Sequence, residues 1–236
     1  MTPRSFADAR GWMRHGTALF IGLTDLGESA LAEPSALPGW TRKHVLAHVA
    51  ANADALGNLV RWAATGEPTP MYASPEERAA GIEHGSLLPA RDLTAWLHRS
   101  ADALEEAMAG VSDEQWQAPV LTAQGRAVPA TEVPWMRSRE VYLHAVDLAT
   151  GVSFAGLPAG FLADLCDDVI RKRSMERGPA LVLQAADTGG QWKLAGHGKA
   201  VAVAGPLAEI TAYLTGRANH LTTTGGETAP VLPPWL

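Results

Sequence analysis

Apolar residues recur every three or four positions through the first 150 residues, which is the pattern of helices that bury one face. Thr41 is a favourable N-cap residue ahead of one such stretch, and Gly66 follows its end. Ser74 and Pro75 open another, with two acidic residues in its first turn. The pattern predicts five helices, over residues 4–26, 41–65, 74–85, 90–109 and 131–150. Four long helices and one short helix are typical of a bundle.

The chain changes character after residue 151. Short apolar segments are separated there by the glycine-rich turns Gly189–Gly190 and Gly196–Gly198. The pattern predicts a helix, three short strands and a closing helix, over residues 158–175, 180–185, 191–194, 200–204 and 206–215. We therefore predict an α+β protein in which a helical bundle is followed by a small α/β unit. The predicted domains are residues 1–153 and 154–236.

The 236 residues carry 19 Lys and Arg against 25 Asp and Glu, a net charge of −6. A mildly acidic chain has no overall attraction for nucleic-acid phosphates or anionic membranes, so neither is an expected partner. Cys166 is the single cysteine, which excludes an internal disulfide and a cysteine-rich zinc site. We find no apolar run of membrane-spanning length and no signal-peptide pattern at the start, so we expect a cytoplasmic protein.

Polar residues interrupt the apolar stripe of the second predicted helix. His48 falls at the edge of this stripe, Asn52 falls within it, and His44 lies one turn before His48. Burying such groups without partners costs about 1–3 kcal/mol each, so partners are expected. His48 is either a hydrogen-bonded core histidine or a metal ligand, and this helix alone does not decide between them. The stripe consists of Val45, Val49, Leu56 and Leu59.

The fifth predicted helix carries a second polar group near its apolar face. Glu140 and His144 are four residues apart and share one face, and Asp147 follows one turn later. His48, Glu140 and His144 together form a ligand set for a divalent metal with open positions. We expect Asp147 and Asn52 just outside this set, Asp147 as the hydrogen-bond acceptor that fixes the tautomer of His144. The same spacing also describes a surface contact between Glu140 and His144, so the pattern leaves both interpretations open.

Arg217 follows the last predicted helix, in the segment Gly216–His220. The helix dipole stabilises a cation at a helix C-terminus, so one interpretation of Arg217 is a cap. Its guanidinium could also hold a carboxylate through two parallel hydrogen bonds. Cys166 lies among apolar residues in mid-helix, and we expect a core residue there rather than a nucleophile.

Longer motifs extend over nearly the whole chain. They are Gly39–Arg42 with Leu46–Ala50, Pro70–Tyr72, Leu121–Arg126, Trp135–Leu148, Gly216–Arg217 and Trp235–Leu236. The first of these resembles the entry to the second helix of DinB-like proteins. Taken together and in order, the motifs resemble those of mycothiol-dependent maleylpyruvate isomerases.

The resemblance implies a DinB-like four-helix bundle followed by a small α/β domain similar to sterol carrier proteins. It implies zinc, or another divalent metal, bound by His48, Glu140 and His144, with mycothiol as the thiol cofactor. It also implies that Arg217 is an essential catalytic residue. His44 has no ligand role in that family.

The reaction implied by the resemblance converts 3-maleylpyruvate to 3-fumarylpyruvate in gentisate degradation. A thiolate adds to the alkene conjugated with the ketone, the central bond rotates as a single bond, and elimination restores a trans double bond. The expected partners are a dicarboxylate substrate and mycothiol. Three alternatives remain open: a mycothiol S-transferase acting on other electrophiles, a non-haem iron enzyme, and a non-catalytic protein that binds an apolar ligand.

Overall fold

Helices make up most of the first 150 residues, and a small sheet follows. The computed structural model describes residues 4–175 and 178–235, so Leu236 of the terminal motif lies outside the described residues. The helices are α1 Phe6–Gly22, α2 Glu28–Leu31, α3 Arg42–Thr65, α4 Pro75–Ser86, α5 Ala90–Ala109, α6 Asp113–Trp116, α7 Val133–Asp147, α8 Ala159–Arg173 and α9 Leu207–Leu214. The strands are β1 Pro119–Leu121, β2 Ala127–Pro129, β3 Pro179–Ala185, β4 Gln191–Leu194, β5 His197–Gly205 and β6 Thr222–Thr223.

The ends of the bundle helices follow from local side-chain chemistry. Thr41 caps α3 in a reciprocal capping box, and Gly66 ends that helix in the left-handed conformation, with φ of 74°. The Ser74 hydroxyl accepts the Glu77 amide proton at 3.1 Å at the start of α4. The predicted bounds of α3 and α4 are therefore confirmed. The first helix ends at Gly22 rather than near residue 26, because the buried Thr24 hydroxyl donates to a carbonyl oxygen of the last turn.

Close packing of α1 on α7 fixes the position of the helix that carries Glu140 and His144. A Cβ atom at Gly16 would lie 2.6 Å from Val141 Cγ2, so the two helices approach each other where α1 has no side chain. On its other side α7 packs against α3, which also contacts α4 and α5. One buried apolar cluster includes Met13, Ala53, Leu56, Leu59, Val60, Leu104, Met108 and Val133.

Residues 117–130, which lie between the fourth and fifth predicted helices, contain a short antiparallel hairpin. Strands β1 and β2 pair with Val120 opposite Val128, and both side chains are buried in the bundle core. Gly125 makes the turn between them at φ of 73°. Strands of three residues are too short to show an alternating pattern, and the four-residue helices α2 and α6 are likewise too short to show a helical one.

The remainder of the chain forms a four-stranded sheet with the order β4–β3–β5–β6. Strand β3 pairs antiparallel with β4 and parallel with β5, while α9 packs against β3 and β5. The predicted turn Gly196–Gly198 is too long. Strand β5 begins at His197, opposite Pro179, so His197 and Gly198 belong to the strand. An irregularity in the pairing between Pro179 and Leu181 accommodates Gly198, whose φ is 81°.

The chain separates into two compact units, Ser5–Gly151 and the segment from Val152 onward. The domains expected from the sequence, 1–153 and 154–236, stay a prediction, because compactness does not show that either part folds alone. Among the described residues, no helix is long and apolar enough to cross a membrane.

Candidate metal centre

Helices α3 and α7 present histidine and carboxylate side chains to each other. His48 lies at the end of the second turn of α3, and Glu140 and His144 lie one turn apart on α7. The structure therefore brings together the three residues that the helical spacing grouped as a ligand set. They meet inside the bundle rather than at its surface, so the interpretation of Glu140 and His144 as a surface contact does not describe them.

The three side chains converge on one carboxylate oxygen. His48 Nε2 lies 2.9 Å from Glu140 Oε2, and His144 Nε2 lies 3.3 Å from the same atom. The two imidazole rings are nearly perpendicular, with centroids 4.7 Å apart. The Glu140 side chain is 26% exposed, more than either histidine, so solvent reaches the cluster at the carboxylate.

This donor set fits a divalent metal ion. The ligand atoms of His48, Glu140 and His144 all lie within 4.8 Å of one another. A tetrahedral zinc ion with ligands at about 2.0–2.2 Å separates them by roughly 3.3–3.6 Å, close to the distances found here. Two imidazole nitrogens and one carboxylate oxygen leave a fourth position open, which is the arrangement of catalytic rather than structural zinc sites.

Burial and mutual hydrogen bonds shift the pKa values of all three groups. Burial alone would raise the pKa of Glu140, but hydrogen bonds with His144 and His48 outweigh it and hold this pKa well below its usual value. Burial lowers the pKa of His48 in spite of the nearby carboxylate. Burial also opposes charge on His144, yet hydrogen bonds to Asp147 and Glu140 raise its pKa. An ionised carboxylate and a neutral His48 are the forms that bind a metal.

Asp147 occupies the position expected from the sequence. Its side chain is fully buried, and Oδ2 lies 2.9 Å from His144 Nδ1. A carboxylate accepts a proton from Nδ1, and this leaves the lone pair of His144 on Nε2, the nitrogen that faces Glu140. The contact accounts for the orientation of the His144 ring.

On its other side, His48 contacts residues from outside α7. The Trp40 ring meets the imidazole edge-on, with centroids 5.7 Å apart, and Arg78 Nη2 lies 3.4 Å from His48 Nδ1. A guanidinium only donates, so this contact favours a proton on Nε2, whereas a metal at Nε2 requires the proton on Nδ1. Because the contact is long and Arg78 is half-buried, we expect metal binding to displace the arginine.

His44 is separate from the ligand cluster in its hydrogen bonding. Its Nδ1 accepts the Thr41 backbone N–H at 3.2 Å, which completes the capping box of α3, and also lies 2.8 Å from Thr41 Oγ1. This contact agrees with the absence of a ligand role for His44 in the resemblance. His44 therefore helps to cap the N-terminus of α3, and His48 follows one turn later on the same helix.

The fold agrees with comparisons to known proteins. A family model described as the mycothiol maleylpyruvate isomerase N-terminal domain matches residues 13–149, more than half of the chain. This chain belongs to the mycothiol maleylpyruvate isomerase family. The crystal structure of a mycothiol-dependent maleylpyruvate isomerase is 39% identical, covers 100% of both chains and has a TM-score of 0.94. That of a histidine-to-alanine mutant of a mycothiol-dependent maleylpyruvate isomerase is 38% identical, with the same coverage and TM-score. The comparison with curated proteins finds no match.

Membership of this family confirms the resemblance that the sequence motifs carried. It also confirms the mixed architecture, a helical N-terminal region followed by a small sheet domain. The roles of single residues at the site stay predictions.

Arg217 lies in the second compact unit, three residues after α9 ends. Its backbone N–H donates to the Ala212 carbonyl at 2.8 Å, and Gly216 before it has φ of 72°. Its Nη1 donates to the Thr215 carbonyl at 3.0 Å. These local bonds match the interpretation of Arg217 as a helix cap. The catalytic role that the resemblance to the isomerase family implies for Arg217 stays a prediction.

Three residues beside the cluster were not singled out from the sequence: Tyr72, Arg78 and Arg137. Arg137 is buried one turn before Glu140, and its Nη1 donates to Asn52 Oδ1 at 3.0 Å. Helical spacing relates Arg137 to Glu140 on α7, but it does not relate Arg137 to Asn52 on α3. Tyr72 and Arg78 come from α4 and the loop before it, and no spacing along the chain relates them to α3 or α7.

Proposed function

We propose that this protein is a mycothiol-dependent maleylpyruvate isomerase that converts 3-maleylpyruvate to 3-fumarylpyruvate in gentisate degradation. One observation carries the proposal. His48, Glu140 and His144 converge as a metal-ligand set in a chain that is 39% identical, over its full length, to a mycothiol-dependent maleylpyruvate isomerase. Zinc, or another divalent ion, is the metal we propose at these residues.

The chain's own cysteine does not supply the thiol. Cys166 is fully buried in α8, with Sγ 3.3 Å from Thr211 Oγ1, and burial raises the pKa of this thiol to about 12. A protonated and inaccessible thiol is a poor nucleophile at neutral pH. An external thiol is therefore required, and this supports mycothiol as the cofactor.

Each protein residue at the site has a definite task under this proposal. A divalent ion held by His48, Glu140 and His144 would lower the pKa of a thiol bound to it and so supply a thiolate for reversible addition to the conjugated double bond. Asp147 holds the Nδ1 proton of His144 and so keeps Nε2 available. The ionised Glu140 balances part of the metal charge, and its exposed edge leaves the site open to small molecules.

Arg217 completes the proposal as a carboxylate-binding catalytic residue. The substrate is a dianion at neutral pH, and a planar guanidinium binds a carboxylate through two parallel hydrogen bonds. Arg217 Nη1 donates to the Thr215 carbonyl at 3.0 Å, which holds the side chain beside the C-terminus of α9.

Product analysis tests the proposed activity. Purified, zinc-loaded protein is incubated with 3-maleylpyruvate, with and without mycothiol, and the products are followed by proton NMR. The proposal predicts conversion to the trans isomer only with mycothiol, while the thiol is recovered unchanged. A stable thioether product that consumes mycothiol stoichiometrically would instead indicate the S-transferase alternative. Conversion that proceeds equally well without a thiol would contradict the proposal.

A further inference from the structure

Arg137 is a buried arginine one turn from the ligand cluster. Its side chain extends from α7 to α3, where Nη1 donates to the Val49 carbonyl at 2.7 Å and to Asn52 Oδ1 at 3.0 Å. The residue is only 1% exposed. These two bonds use both protons of Nη1.

The opposite edge of the same guanidinium is unsatisfied. Arg137 Nε and Nη2 are buried, and neither has a hydrogen-bond partner within residues 4–175 and 178–235. Together they carry three N–H donors, of which the Nε proton and one Nη2 proton lie side by side on one edge of the planar group. Leaving buried donors unpaired is costly, so the two on this edge indicate that a ligand completes it.

The charge of Arg137 also lacks a close counter-ion. No carboxylate of the described part of the chain lies within ion-pair distance of it, although Glu140 and Asp54 act on it electrostatically from further away. Burial lowers its pKa to about 10, which still leaves the group charged at neutral pH. A buried cation without a partner is destabilising, and a bound anion would remove that cost.

Arg137 lies one turn from the proposed metal ligands. Arg137 and Asn52 form one contact between α7 and α3, and Glu140 and His48 form the next. These contacts are three residues apart on α7 and four on α3, which is about 5 Å along either helix. Tyr72, which contacts the guanidinium of Arg78 through its ring, is electrostatically coupled to both Arg137 and Glu140.

We propose that Arg137 binds a carboxylate of the substrate through Nε and Nη2, beside the metal ligands. This edge of an arginine matches the two oxygens of a carboxylate in a planar, bidentate pair. Identifying that carboxylate as the substrate's rests on the proposed isomerase function. Mycothiol has no carboxylate, whereas maleylpyruvate has two, so Arg137 adds to the role proposed for Arg217 and does not replace it.

Calorimetric titration with maleate tests this assignment without measuring turnover. Maleate is a cis dicarboxylate without the ketone that thiol addition requires. Zinc-loaded native protein is compared with Arg137→Met and Arg137→Lys, and zinc content is measured in each sample. Arg137→Met should weaken maleate binding by about 10–100-fold, since a hydrogen bond to a charged group contributes about 1.5–3 kcal/mol. Lysine keeps the charge but loses the paired donors, so Arg137→Lys should give an intermediate loss.

Two further variants separate carboxylate binding from a purely structural role. Asn52→Ala removes a hydrogen-bond partner of Arg137 Nη1 but keeps the edge formed by Nε and Nη2. This variant should therefore bind maleate more tightly than Arg137→Lys and nearly as tightly as the native protein. Arg10→Met is the matched control, because Arg10 Nε is also buried without a described hydrogen-bond partner, on α1 and beside Glu105. It should bind maleate within about twofold of the native protein.

The result that overturns the inference is native maleate affinity in Arg137→Met at normal zinc content. If Arg137→Met does not fold, as judged by circular dichroism, equal losses in Arg137→Lys and Asn52→Ala would overturn it instead. Failure of the isomerase proposal looks different, because native protein would then bind maleate through Arg137 but not isomerise maleylpyruvate. If only the Arg137 assignment is wrong, native turnover stays intact and the variants bind maleate normally.

Discussion

Replacing Asp147 with Asn tests whether the buried carboxylate supports a metal ligand. The change is isosteric, and an Asn oxygen can still accept the proton from His144 Nδ1, which lies 2.9 Å from Asp147 Oδ2. What is lost is the negative charge, fully buried and therefore weakly screened. Hydrogen bonds to charged groups contribute about 1.5–3 kcal/mol and neutral ones about 1 kcal/mol. The difference of about 0.5–2 kcal/mol corresponds to a metal affinity roughly 2–30-fold weaker, which overlaps the lower end of the 10–100-fold range typical of such outer partners.

Competition with a chromophoric chelator measures this affinity directly. Native protein and Asp147→Asn are stripped of metal, confirmed to be folded by circular dichroism, and titrated with zinc in the presence of the chelator. Asp54→Asn serves as the control, because Asp54 is an exposed acid on α3 whose Oδ2 accepts from Trp96 Nε1 at 2.8 Å. The control should bind zinc like the native protein.

Unchanged zinc affinity in Asp147→Asn would refute this reasoning, because it would mean that the charge behind His144 does not act on the metal. A complete loss of zinc binding in a folded protein would refute it as well. In that case Asp147 would be a ligand itself rather than a group that orients His144.

Three further predictions concern other parts of the chain. Arg217→Ala should keep native zinc content but lose most isomerase activity, with partial rescue by Arg217→Lys; a near-normal rate would leave Arg217 as a helix cap. Cys166→Ser should keep most activity, and Cys166 should resist thiol reagents up to pH 9, because its pKa is raised from 9.0 to about 12. The pKa of Cys166 is higher in the folded than in the unfolded protein, so the contribution of this thiol to stability is fully present below pH 9 and declines as pH rises toward 12. Rapid labelling of Cys166 in the native protein would contradict the raised pKa. Gly16→Ala should lower the free energy of unfolding by about 1–3 kcal/mol, since its Cβ would clash with α7. Gly11→Ala on the same helix, with open space around it, should raise that free energy by about 0.5–1 kcal/mol in urea denaturation; equal effects of the two substitutions would refute the clash.

The three proposed metal ligands could be found from the sequence because helical periodicity is a local property. His48 sits beside the apolar stripe of one helix, and Glu140 and His144 share a face of another, so each half of the cluster could be located separately. Spacing alone did not show that the two faces meet. The motifs that resembled the isomerase family supplied that step, and the structure places the three side chains in contact.

The neighbours of the cluster could not be predicted in the same way. The contact of Arg137 with Asn52 depends on how α3 and α7 are set against each other along their axes, which neither helix specifies alone. Arg78 reaches the site from α4 and Tyr72 from the loop before it, a part of the chain joined to the site only by tertiary packing. The hairpin around Gly125 was missed because its strands contain three residues each, too few for a period of two to be visible.

The central claim is that thiol-dependent isomerisation takes place at a metal held by His48, Glu140 and His144. The most direct test measures zinc content and the rate of maleylpyruvate conversion with mycothiol on the same preparations of native protein and His48→Ala. The account predicts about one zinc per chain and turnover in the native protein, against strongly reduced zinc and turnover in a folded His48→Ala. Full zinc occupancy in His48→Ala, or native turnover by protein stripped of zinc, would contradict it.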